Sequence, residues 1–393
     1  QNPENQGPTP FKVNPMSVIA IPFKNEDPNV VLANIRTAAG HPRIEEVWAI
    51  GHTPDIRRGV DEIIGEGPAR IILFPEERLG SLRPGKGDAM NTALQRADRA
   101  GIDRLHFYDA DILNFDSDWI DGAEEAADRG FEVVRHTFPR AATDAMITWF
   151  VTRPMLAIKY PGTILPRIGQ PLGGELLLTR KAISELARNE DVRSRSDWGI
   201  DTVLTHAAVA SGFSLYEHHV PDGKQHALYG SLVELRDMVL ECFDAAASLD
   251  PRQPPPVRHQ RDADAAVPES LKATTAYDYD SSASIVTATP SPQESDLIKR
   301  LQPELSRPVR DLAERGDWSG LDAPTWYDFL TFALPRFQLG DPGWDAFLFR
   351  MWTGRVLWYT TEVAIDGYDA AMGYLESTVR GYEQRAGDLR SRR

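Results

Sequence analysis

The chain has 393 residues, 41% of them hydrophobic and 26% charged, the composition of an ordinary globular protein long enough for one large α/β domain and a smaller partner. Its net charge of -15, with no basic patch to offset it, argues against a nucleic-acid binder. Cys242 is the only cysteine, which excludes internal disulfides and cysteine-based zinc sites and fits a reducing cytoplasm; no run nears the roughly 18 apolar residues of a membrane span. The first ten residues are polar and carry no targeting signal.

Short apolar runs at Val18 to Phe23, Val47 to Gly51 and Arg70 to Phe74 read as strands, with helical patterns between them. A helix over Lys86 to Arg99, a strand from Leu105, a helix over about Asp118 to Arg129 and a strand at Glu132 to Val134 follow. Beyond these, Gly174 to Leu178 and Phe213 to Tyr216 read as strands and Trp198 to Ala210 as a helix. Such alternation predicts a mostly parallel sheet covered by helices, with ligands at the carboxyl ends of its strands. Residues Asp250 to Glu294, opened by Pro251-Arg-Gln-Pro-Pro-Pro, read as a linker or mobile surface excursion. The organisation expected is therefore a catalytic domain over 16–249, the excursion over 250–294, and a helical module over 295–393. In that module Thr325 to Phe337 and Trp344 to Tyr382 are apolar at helical spacing. So many large apolar groups on one long helix suggest packing on the catalytic domain or a homo-oligomer interface.

The Leu105 strand ends in Tyr108-Asp109-Ala110-Asp111. Alternate residues of a strand share a face, so Asp109 and Asp111 can converge on one divalent ion while Ala110 keeps the backbone close. Mg²⁺ and Mn²⁺ take oxygen ligands and are often held by one or two carboxylates plus substrate phosphates. The loop Arg78 to Gly85 is basic and glycine-rich and runs into a helix. It can offer backbone N–H groups and Lys86 to phosphate, although it lacks the Walker hydroxyl and an ordinary basic loop would look the same. After the first strand, Lys24 can reach a nucleotide and Glu26 a sugar hydroxyl, or they are a solvated lysine and a helix-start carboxylate.

Arg140, Asp144 and Thr148 fall at four-residue steps and share a face if the segment is helical. A guanidinium beside a hydroxyl suits a small carboxylate, and an Arg140–Asp144 salt bridge is the competing account. Gly173 and Gly174 would let a substrate lie against bare backbone. Trp198 offers a sugar-stacking face, or belongs to the core, and Asp201 offers a carboxylate for hydroxyls or for catalysis. His226, in a loop after a strand, is a surface histidine or a third metal ligand.

The strings Leu79-Gly-Ser-Leu-Arg-Pro-Gly-Lys-Gly-Asp-Ala-Met-Asn, Phe138-Pro-Arg-Ala-Ala-Thr-Asp-Ala-Met-Ile-Thr-Trp, Gln170-Pro-Leu-Gly-Gly-Glu and Arg195-Ser-Asp-Trp-Gly-Ile-Asp-Thr, with the Asp-x-Asp and the late histidine, resemble the mannosylglycerate synthase family. The resemblance runs from about Ser17 into the carboxyl-terminal helices. It implies a retaining glycosyltransferase of the GT-A fold that moves mannose from GDP-mannose to D-glycerate and related small hydroxy acids, making a compatible solute in the cytoplasm. It further implies a divalent metal on Asp109, Asp111 and His226, a donor site at Lys24, Glu26, Lys86 and the Asp109–Ala110–Asp111 strand end, and an acceptor site at Arg140 and Thr148. Asp144, Leu172, Trp198 and Asp201 would complete the sugar and acceptor pocket. Three alternatives stand beside this: glucosyl transfer from GDP- or UDP-glucose, a haloacid-dehalogenase-like phosphatase with Asp109 as phosphoryl acceptor, and a non-catalytic nucleotide-sugar sensor.

Overall fold

A computed structural model describes residues 15–227 and 230–392, so the first ten residues lie outside it. The first half alternates as the apolar runs require: β1 (Ser17–Pro22), α1 (Pro28–Gly40), β2 (Ile44–Ile50), α2 (Pro54–Ile63), β3 (Arg70–Phe74), α3 (Lys86–Ala100), β4 (Arg104–Phe107), α4 (Ser117–Asp128) and β5 (Val133–Thr137). After a π-helical turn (Thr148–Thr152) come α5 (Arg153–Lys159), β6 (Leu176–Thr179), α6 (Arg180–Arg188), α7 (Glu190–Ser194), α8 (Ile200–Ala210), β7 (Leu215–His219) and α9 (Arg236–Ser248). The eight-stranded sheet has the order β3-β2-β1-β4-β6-β5-β7-β8, the last strand being His259–Arg261. It is mixed and mostly parallel: β6 alone runs against its neighbours, pairing antiparallel with both β4 and β5.

Each face of the sheet is apolar and each is covered. Val31 and Ile35 of α1, Ile56 and Val60 of α2 and Trp119 and Ile120 of α4 close one side. Met90 and Leu94 of α3, Ile183 and Leu186 of α6 and Val203 and Leu204 of α8 close the other. The reversed β6 has a direct consequence for the site. Its first residue, Leu176, pairs with Phe107 at the end of β4, so Glu175 arrives beside Asp109.

Residues 250–294 do not form the free excursion expected of their composition. β8 adds to the sheet edge parallel to β7, and α10 (Glu269–Lys272) and α11 (Tyr279–Thr287) follow, with Tyr277 and Val286 buried in the helical core. The polar, proline-rich sequence hides this because three strand residues and a few buried anchors leave no periodic signal.

The remaining helices are α12 (Pro292–Leu301), α13 (Arg307–Arg315), α14 (Ala323–Ala333), α15 (Pro342–Glu362) and α16 (Tyr368–Ser391). The segment from Trp344 to Tyr382 is thus two helices and not one long one: the chain breaks over 363–367, where Gly367 takes a φ of 103° that L side chains rarely adopt. Of the apolar groups that suggested packing or an oligomer interface, Trp358, Val363, Tyr368 and Met372 stay partly exposed and the larger share is buried within this chain. Phe347, Phe349, Trp352 and Leu357 are buried in one cluster with Phe150, Met155, Val239 and Phe243 of the first module. Among the described residues no helix is long and apolar enough to cross a membrane.

Candidate active site

A cavity of about 330 Å³ opens at the carboxyl ends of β1, β4 and β5 and the first turns of α3 and α8. Every residue to which the family resemblance gave a role lines it: Lys24 and Glu26 beyond β1, Lys86 at the start of α3, Asp109, Ala110 and Asp111 beyond β4. Arg140, Asp144 and Thr148 come from the segment after β5, with Leu172, Trp198, Asp201 and His226 completing the wall. What differs from expectation is how they are arranged.

β4 ends at Phe107, so Asp109 and Asp111 lie in the turn beyond it and do not alternate along a strand. Asp109 is turned inward. Its Oδ1 lies 2.9 Å from Lys86 Nζ and its Oδ2 2.6 Å from Lys224 Nζ. Lys86 also reaches Asp201 Oδ2 at 3.0 Å, and Lys224 reaches Glu175 Oε1 at 2.6 Å. The result is a row of alternating charge, Asp201–Lys86–Asp109–Lys224–Glu175, with three carboxyls to two ammonium groups. Burial alone would raise the Asp109 carboxyl, but the ammonium groups of Lys224 and Lys86 outweigh it and hold Asp109 well below the usual carboxylate range. Burial wins at Glu175 and Asp201, whose carboxyls are raised. For both lysines burial is outweighed by Asp109 and its neighbouring carboxylates, and both ammonium groups titrate above their usual value. One oxygen at each end of the row, Glu175 Oε2 and Asp201 Oδ1, is buried with no hydrogen-bond partner among the described residues.

Gly174 makes room for this row, since a Cβ there would collide with Asp109 Oδ1 and Lys86 Nζ; neither it nor Gly173 lines the cavity. The glycine-rich loop is shaped by Asp88, whose Oδ1 accepts from the N–H groups of Leu79 (3.0 Å) and Gly80 (2.9 Å) while its Oδ2 takes Arg78 Nη1 at 2.7 Å. Arg83 of the same loop pairs with Glu241 of α9, which also accepts from the Trp198 N–H at 3.0 Å. Trp198 is half-buried, with Lys86 Nζ 5.8 Å from its ring centre. Glu26 accepts from the Lys24 backbone N–H, so this carboxylate shapes its own turn while both residues face the cavity.

Arg140 and Asp144 form the salt bridge, at 2.9 Å, and do so on the cavity wall; Thr148 is buried in the π-helical turn. They do not share one helix, because the chain between them turns and Ala145 adopts a φ of 56°. Arg140 and the neighbouring His226 draw the Asp144 carboxyl below the usual range against its burial, and Asp144 Oδ1 accepts from the backbone N–H of Ala145. His226 faces Asp144, with Nε2 3.8 Å from Oδ2, and that contact raises its titration. Among the described residues no group of three His, Cys, Asp or Glu is drawn together as for a metal ion. The donor set still fits a divalent cation in kind: two carboxylates and an imidazole line one cavity, Asp111 is exposed to it, and the row of carboxyls beneath has buried oxygens without partners.

Comparison with known proteins gives these residues a lineage. A model of the mannosylglycerate synthase GT domain matches residues 17–248 and one of the mannosylglycerate synthase C-terminal domain matches 271–379. The mannosylglycerate synthase of Rhodothermus marinus is 43% identical over 94% of this chain and 95% of its own length, and that of Selaginella moellendorffii 42% over 93% and 89%. The chain belongs to the mannosylglycerate synthase family. It is accordingly a glycosyltransferase with a GT-A-like mixed sheet and a helical C-terminal region, and the phosphatase alternative lapses. A solved structure of glucosyl-3-phosphoglycerate synthase from Mycobacterium tuberculosis, in complex with Mg²⁺ and UDP, is similar at 18% identity and a TM-score of 0.47, over 60% of this chain and 81% of that one.

Sequence reasoning missed Lys224 and Glu175. Lys224 lies two residues before His226, and Glu175 closes the string that carries Gly173 and Gly174. Neither has a local signal, since a lone lysine in a Pro-Asp-Gly turn reads as solvated and only the antiparallel β6 delivers Glu175 to the site.

Proposed function

We propose that this family member transfers mannose from GDP-mannose to a hydroxyl of D-glycerate with retention at the anomeric carbon. Related 2-hydroxy acids such as lactate or glycolate serve as further acceptors, and the product is a cytoplasmic compatible solute. The observation that carries this reading is a single cavity lined both by Lys24, Glu26, Lys86, Asp109 and Asp111 and by Arg140 and Thr148. The first set suits a nucleotide diphosphate and the second a small hydroxy acid.

Arg140 and Thr148 grip the glycerate carboxylate, and the Arg140–Asp144 bridge keeps the guanidinium on the wall where that carboxylate arrives. Trp198 and Leu172 bound the sugar, and Asp201 has an oxygen available to a substrate hydroxyl. Asp109, Asp111 and His226 would hold the divalent cation, Mg²⁺ or Mn²⁺, which supplies positive charge against the diphosphate as the sugar–phosphate bond breaks. Lys86 acts at the same place, where its field counts most as the leaving group gains charge. In a same-face displacement the bond from the anomeric carbon to GDP breaks, the bond to the glycerate oxygen forms, and the hydroxyl proton passes to the departing diphosphate, so no protein nucleophile is required.

The test is mass spectrometry of the protein with Mg²⁺ or Mn²⁺, D-glycerate, and GDP-mannose, GDP-glucose or UDP-glucose in parallel. A hexosyl-glycerate from GDP-mannose is expected, with proton NMR reporting the α anomer. Product from a glucose donor alone would move the assignment to a glucosyltransferase. Binding of GDP-mannose without product would favour the sensor.

A further inference from the structure

No residue beyond Cys242 lines the cavity among the described residues, yet the C-terminal module holds one of its walls. The segment between β5 and the π-helical turn carries Arg140 and Asp144 and contains Ala145, the only non-glycine residue described with a positive φ. An alanine persists in that region only where the surroundings over-determine it. Four contacts do so, each from beyond residue 270. Tyr368 Oη donates to the carbonyl of Arg140 at 3.0 Å, Tyr359 Oη to that of Ala142 at 2.8 Å, and Trp352 Nε1 to that of Met146 at 3.4 Å, while Thr143 Oγ1 accepts from the Ala276 N–H at 2.9 Å.

The geometry of these donors is built by the helices. Trp352 and Tyr359 are seven residues apart on α15, hence on one face, and both are fully buried. Tyr368 is the first residue of α16, delivered to Arg140 by the break at Gly367. A continuous helix would have carried it elsewhere.

We propose that Tyr359 and Tyr368 are positioning residues that clamp the 140–146 segment and thereby set acceptor affinity, an inference that rests on the proposed acceptor role of Arg140. The module therefore acts on the acceptor without touching it, and the donor half of the cavity, built on β1, α3 and β4, is outside its reach.

The experiment compares the full-length protein with Tyr359→Phe, Tyr368→Phe and the double variant. Each Phe keeps the ring packing and deletes one hydrogen bond. Single variants should raise the KM for D-glycerate roughly three- to tenfold, with kcat and the KM for GDP-mannose nearly unchanged. Hydrogen–deuterium exchange, read without substrate, should show faster exchange over 140–147 and none elsewhere in the first module. Unchanged exchange there would overturn the clamp. A loosened segment with an unchanged glycerate KM, or with both KM values raised equally, would overturn its role in acceptor affinity. If the wild-type protein itself turned over no glycerate, the proposed acceptor would fall while the exchange data still judged the clamp.

Discussion

Lys224 occupies the position in the charge row where a substitution is most informative. It neutralises Asp109 and Glu175 together, both in an environment where an unpaired carboxylate is costly. In Lys224→Met the two carboxyls would face one another and one would take up a proton, leaving Asp109 on Lys86 alone. The expected result is a folded protein whose turnover falls roughly 10- to 100-fold, the usual cost of losing a group that orients a ligand residue. Wild-type kcat in that variant would show that the row is held by packing and not by its charges. Because the five members share protons and partners, alanine scanning across them will not be additive, and the double variant with Glu175→Gln should recover part of the loss.

At the scale of elements, α4 is fastened to the sheet by one buried carboxylate. Glu124 accepts from Ser17 Oγ of β1 at 2.7 Å, meets His106 Nε2 of β4 at 2.8 Å and pairs with Arg43, just ahead of β2, at 2.8 Å, with Arg104 on the same group. Burial would raise its titration, but the bonds from His106, Ser17 and Arg104 outweigh it and bring it from 4.5 down to about 2. A carboxyl lowered in the folded state stabilises above its unfolded value and loses that stabilisation as pH falls toward the folded one, so the window runs from about 4.5 to about 2. The amount is on the order of 3 kcal/mol. Glu124→Gln should melt lower at neutral pH and show a flatter decline of Tm between about pH 5 and 3 than wild type; parallel curves would mean that Glu124 is not the group responsible. Elements of this kind were legible in the sequence to different degrees. β1, β2, β3 and α3 announce themselves by apolar runs and periodicity. The direction of β6 does not, because Leu176 to Leu178 read the same either way. β8, three polar residues, has no pattern at all, and the break at Gly367 was masked by apolar periodicity on both sides of it.

Across the whole molecule one hydrophobic cluster runs from Ala142 to Tyr382 and takes side chains from both family-matched regions. Trp326 Nε1 donates to the carbonyl of Phe150 at 2.7 Å, and Arg153 of α5 grips Glu376 of α16 through two bonds of 2.9 Å. A core shared in this way predicts a single cooperative transition in denaturant, with far-UV circular dichroism and tryptophan fluorescence coincident. Two separated transitions would show that the regions are stable apart. Most of the cavity lining was legible in the sequence as a set of residues and not as an arrangement, since the strings that carry it lie on separate elements that only the sheet order brings together.

The eighth strand has a consequence for how such proteins can exchange parts. The chain leaves the first region after α9, returns to lay β8 along the sheet edge and only then enters the helical module. A hybrid of two relatives joined near residue 249 would inherit its sheet edge, most of its apolar cluster and the tyrosines behind the Arg140 wall from the second parent. Crossovers there should survive only between parents whose interior surfaces already match, so the two regions are expected to be inherited together.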